Sequence, residues 1–106
     1  DGFYALETAR GTNGTATAVP EDEIVEGIKL LAETEGIFTE TAGGVVISGL
    51  RKLAESGKIK RDEVTVAFIT GNGLKTQEAV SDVANPVYIK PTYASFEANM
   101  AAHLKQ

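Results

Sequence analysis

The sequence predicts an α/β fold, a small three-layer unit with helices packed on a thin sheet. Three observations carry that expectation. Apolar residues recur at helical spacing in "PEDEIVEGIKLLAETEG". A nearly unbroken apolar run, "EVTVAFITG" from Glu63 to Gly71, reads as a strand covered on both faces. Helical and extended patterns alternate along 106 residues, enough for one domain (1–106) and not for two.

Taken in order, Tyr4 to Arg10 can form one or two helical turns, and "GTNGT" is a loop by composition. "TATAV", Thr15 to Val19, reads as a short β-branched strand. The next helix has Pro20 at its start and Glu21, Asp22 and Glu23 where the helix dipole favours negative charge. Val25, Ile28 and Leu31 form its stripe, Ile24 and Ala32 widen it, and Gly36 is a stop signal.

A short extended piece precedes a second helix, capped by Thr39 or Thr41, with Val46, Leu50 and Leu53 on one face and Gly57 at its end. Gly43, Gly44 and Gly49 each cost this helix roughly 1 kcal/mol against alanine, so something must approach its backbone closely. After the apolar strand, "LKTQEAVSDVA" can hold a helical turn or two. "PVYIK" reads as a third strand, with Pro86 marking an edge. A closing helix is capped by Thr92 and lined by Phe96, Met100 and Leu104.

Composition narrows the function. An apolar fraction of 42% is that of a soluble globular chain. A net charge of −5 argues against nucleic acid and against an anionic membrane surface. No cysteine is present, which removes thiol catalysis and disulfides, and His103 alone cannot build a histidine metal cluster. No apolar run nears the roughly 18 residues of a membrane span. The start at Asp1 without methionine suggests a segment cut from something longer. His103, the Arg51–Lys52 pair and Lys58, Lys60 and Arg61 read as solvated surface, and Tyr4, Tyr88 and Tyr93 as half-buried packing residues.

Two stretches carry chemistry. In "FITGNGLK", a buried run ends on Thr70 and a Gly-Asn-Gly turn follows. The spacing to Lys75 is too short for a phosphate-binding Walker loop, and Thr76 stands where a dinucleotide fingerprint needs glycine. Ligands of open α/β sheets bind at the carboxyl tips of strands. A neutral hydroxyl at such a tip suits an aromatic nitrogen that stays unprotonated, and Gly71 and Gly73 would let a flat ring approach. A helix-capping threonine in a tight turn is the alternative. "TETAGG", Thr39 to Gly44, reads either as a pocket wall or as an ordinary helix start with an acidic residue, Glu40.

"LLAETEGIFTETAGGVVISGLRKLAESGKI" followed by "VTVAFITGNGLKTQEAV" resembles the C-terminal part of the threonine synthase family, within the tryptophan-synthase-β-like group of pyridoxal-phosphate enzymes (fold-type II). The likeness covers residues 1–80, leaving 81–106 as a strand-helix extension. It implies a cytoplasmic lyase of threonine biosynthesis that turns O-phosphohomoserine into threonine and phosphate with pyridoxal 5'-phosphate. It further implies that Thr70 faces the pyridine nitrogen, that Gly71, Asn72 and Gly73 turn around the ring edge, and that Glu40, Thr41, Ala42 and Gly43 line the pocket. The family's Schiff-base lysine, phosphate-cradling glycine loop and carboxylate-holding loop have no counterpart here. The chain is therefore expected to be a C-terminal fragment of the larger cofactor-binding domain, silent alone, binding no cofactor alone, partnered by the N-terminal part of the same enzyme and prone to self-association. The same segment of a sibling such as threonine dehydratase, or a free-standing interaction or regulatory module derived from such an enzyme, are the alternatives.

Overall fold

The computed structural model describes residues 1–83 and 87–103. Among the described residues four α-helices follow in order: α1 (Gly2–Gly11), α2 (Glu21–Glu35), α3 (Thr41–Glu55) and α4 (Tyr93–His103). Two 3₁₀ turns, Gly73–Lys75 and Gln77–Val80, lie between α3 and α4.

The α2–α3 pair is the packed heart of the molecule. Helix α2 begins after Pro20, carries its three acids in the first turn and stops at Gly36, whose φ of 68° is left-handed. Ile28 and Leu31 are buried at 2% and 6% exposure, joined by Ile47 of α3. The crossing is built on small residues. A Cβ on Gly27 would strike the Gly44 carbonyl oxygen, and one on Gly44 would strike the Ile24 carbonyl oxygen. The Ser48 hydroxyl donates to the Glu23 carbonyl at 2.6 Å, which ties the helices where they come closest. The glycines expected to admit a close neighbour do so: Gly43, Gly44 and Gly49 are all buried.

That packing corrects the face assigned to α3. Its buried residues are Gly43, Gly44, Ile47, Ser48 and Gly49, while Val46, Leu50 and Leu53 are half-exposed. Close backbone approach selects the small-residue face, and the larger aliphatic side chains are left on the other. Neither threonine caps α3 with its side chain. Glu40 holds the N-cap position, and Thr39 turns its hydroxyl elsewhere. The helix ends as expected near Gly57, at φ 73°, where the Lys58 amide donates to the Leu53 carbonyl at 2.9 Å.

No β-strand forms among the described residues, so the three-layer sheet is not seen. Thr15–Val19, Glu63–Gly71 and the described part of the 86–90 stretch have no ladder. One antiparallel bridge, Thr39 with Asn72, is the trace of pairing present. The physical reason is that a strand is held by its neighbours, and an isolated one has no partner for its amides and carbonyls. Val64, Val66 and Phe68 are accordingly 95%, 70% and 76% exposed. Tyr4, Tyr88 and Tyr93 are exposed rather than half-buried, Tyr4 meeting the Phe3 ring edge to face on the surface of α1.

Helix α1 is longer than expected and buries no residue. In α4 the Thr92 hydroxyl accepts from the Ser95 amide at 3.3 Å, the expected cap, while Phe96 and Met100 stay partly exposed. Pro86, Leu104 and the side chain of His103 lie outside the described residues.

Candidate functional site

The two stretches singled out by chemistry are brought together. The Phe38 carbonyl accepts from the Gly73 amide at 3.1 Å, and the Glu40 amide donates to the Gly71 carbonyl at 3.2 Å. The same Gly71 carbonyl accepts from the Thr39 hydroxyl at 3.1 Å. The Thr76 hydroxyl accepts from the Thr41 amide at 3.0 Å. Four hydrogen bonds thus sew residues 38–41 to residues 71–76 across more than thirty positions of sequence. Thr39, 1% exposed, is the buried centre of this seam.

Side chains complete it. The Glu40 carboxylate meets the Lys75 ammonium at 2.7 Å; Glu40 is 12% exposed and Lys75 64%. Asn72 accepts from the Leu74 amide at 2.9 Å through Oδ1, which fixes the turn between the two glycines. Those glycines have a specific reason to be glycine. A Cβ on Gly71 would fall on the Glu40 carboxyl group, and one on Gly73 would fall on the Phe38 ring. A Cβ on Gly43 would fall on Thr39. The space expected to admit a flat ring beside Gly71 and Gly73 is therefore occupied, on the Cβ side, by the 38–40 segment.

The expected site residues fall into three groups. Gly43 and Gly73 are buried and structural; Glu40, Thr41 and Gly71 are half-buried in the seam. Thr70, Asn72 and Ala42 are exposed. Thr70 is thus open to a ligand and joined by one peptide bond to the fastened turn. Sequence reasoning missed four members of the seam: Phe38, Thr39 as a cross-link, Lys75 and Thr76. The signal available was the repeated pairing of a small residue with a side chain able to fill its place, which only three dimensions reveal.

A separate groove of about 280 Å³ lies between α2 and α3, lined by Glu23, Glu26, Ser48, Arg51, Lys52 and Glu55. Its charges are mutually engaged. Arg51 holds Glu55 at 2.8 Å, and that hydrogen bond and charge raise the guanidinium above its ordinary range. Lys52 holds Glu23 at 2.7 Å and reaches the Ala18 carbonyl at 3.3 Å.

Comparison with known proteins bears on the family of the chain. Residues 1–71 match the family described as "Pyridoxal-phosphate dependent enzyme". The chain is 51% identical over 75 residues to a threonine synthase of Methanocaldococcus jannaschii, covering 71% of this chain and 18% of that protein. It is 46% identical over 72 residues to a threonine synthase of Bacillus sp., covering 68% of this chain and 20% of the relative. A threonine synthase of Mycobacterium tuberculosis is 34% identical over 90 residues, covering 82% of this chain and 25% of the relative. The chain spans about a fifth of the length of these relatives.

Proposed function

Because the chain belongs to the pyridoxal-phosphate-dependent enzyme family, we propose that it is the C-terminal segment of a threonine synthase and supplies one wall of the cofactor pocket. The intact enzyme would convert O-phosphohomoserine to threonine and phosphate, in the cytoplasm. The observation that carries this reading is the joining of "IFTETAGG" to "ITGNGLK" by the seam, with Thr70 exposed beside it.

The chemistry of the donors fits the cofactor. Bound pyridoxal phosphate supplies an electron sink for charge developing on the substrate. Thr70 presents a neutral hydroxyl, able to hydrogen-bond the pyridine nitrogen without forcing a proton onto it. Asn72 fixes the turn that carries Thr70, and Thr39 anchors that turn to α3. Glu40, Thr41, Ala42 and Gly43 form the start of α3 and the adjoining pocket wall. The N-terminal part of the same enzyme is the partner that would bring the remaining catalytic groups, so the isolated segment releases no phosphate.

The test is Thr70→Asp in the full enzyme. A carboxylate there holds the ring nitrogen protonated and changes the electron sink. Phosphate release is expected to fall at least tenfold, an increase in barrier of about 1.4 kcal/mol, while Thr70→Ser stays within a factor of about three of wild type (roughly 0.6 kcal/mol). Equal rates for wild type and Thr70→Asp would remove Thr70 from the site.

A further inference from the structure

Glu40 places a carboxylate, largely withdrawn from solvent, against the backbone of Gly71. Gly71 follows Thr70 directly, so a negative charge lies one residue along the chain from the residue read above as meeting the pyridine nitrogen. Unopposed, that charge would favour protonation of the nitrogen and cancel the advantage of a neutral hydroxyl. It is not unopposed: the Lys75 ammonium lies 2.7 Å from it. We infer that Lys75 is a positioning residue that masks the Glu40 charge and keeps the environment of Thr70 electrically neutral.

The neighbouring charges leave this task to Lys75. Glu78, on the next 3₁₀ turn, is exposed and acidic. On α2, Lys29 pairs with Glu26 at 3.5 Å, and Glu23 is taken by Lys52. On α3, Arg51 and Glu55 pair with one another. Glu40 cannot simply be dispensed with, because its backbone amide and side chain occupy the face of Gly71 that fixes the seam. An acid needed for position is thus made electrostatically silent by a base five residues beyond Thr70. Burial raises the consequence of leaving the carboxylate unpaired, since screening weakens as water is removed.

The inference rests on the cofactor reading of Thr70, and the experiment separates the two. The full holoenzyme is loaded with pyridoxal phosphate labelled with ¹⁵N in the ring, and the nitrogen resonance is followed against pH. In Lys75→Met the protonation midpoint is expected to rise by about one pH unit. The double variant Glu40→Gln/Lys75→Met and the conservative Lys75→Arg are expected to return it to the wild-type value. Thr70→Asp serves as the reference for a protonated ring. If Thr70→Asp moves the resonance and Lys75→Met does not, the masking role is overturned and the cofactor reading stands. If neither moves it, or the wild type takes up no cofactor, both fall. A Lys75→Met shift that persists in the double variant also overturns the role, because it then cannot arise from the Glu40 charge.

Discussion

A methyl group added at Gly27 would land between the Gly44 carbonyl, which cannot retreat without parting α2 from α3, and the Ser48 hydroxyl, which can turn away only by giving up its bond to the Glu23 carbonyl. Gly27→Ala is therefore expected to lower stability by roughly 1–3 kcal/mol despite its better helix propensity. Gly11, at the end of α1, has nothing within 4 Å of its missing Cβ. Gly11→Ala should instead raise the helicity of α1, by up to about 1 kcal/mol of local stability. Thermal unfolding checks the first and far-ultraviolet circular dichroism the second. Ser48→Ala removes a 2.6 Å bond and leaves the Glu23 carbonyl without that donor, at a cost of about 1 kcal/mol. At this scale the sequence was legible in one sense and opaque in another. Glycines in a helix announced a close neighbour, but not which neighbour. Gly71 and Gly73 looked like room for a ligand, and on their Cβ side the room is taken by Glu40 and Phe38.

Helices and strands differ in what a short chain can realise alone. Helix bonds close within the segment, so α2 and α3 form where the sequence places them and stop near Gly36 and Gly57, although α3 buries its small-residue face instead of the expected aliphatic one. Strand bonds close between segments. The run from Val64 to Thr70 was expected to be a strand buried on both sides; instead Val64, Val66 and Phe68 stand exposed, and only Ala67 and Ile69 are half-buried. The same holds for the aliphatic face of α3, where Val46, Leu50 and Leu53 remain half-covered. An exposed apolar run without a charge invites pairing with another chain. Phe68→Lys should suppress association while leaving helical content unchanged, as read by light scattering and circular dichroism on one sample. Loss of helix in that variant would mean that the run already supports α2 and α3.

The whole molecule spans 60 × 30 × 22 Å with a radius of gyration of 18.6 Å, against about 13 Å for a compact chain of this length. Its accessible surface is 8502 Å², against about 5,700 Å² for a folded monomer of this mass. The excess is several times the roughly 800 Å² that one partner gives to an ordinary interface. Self-association follows as an expectation: the melting temperature should rise with protein concentration, and a concentration-independent, highly stable monomer would contradict it. The seam adds a constraint in time. The α2–α3 hairpin turns over five residues, 36–40, whereas the bonds from Thr39 and Glu40 to Gly71 close a loop of more than thirty. Closing that longer loop costs about 3 kcal/mol in chain entropy before any contact repays it. The hairpin should accordingly zip first, and the turn that carries Thr70 should latch onto a ready surface afterwards, so that slowing hairpin formation delays the latch as well.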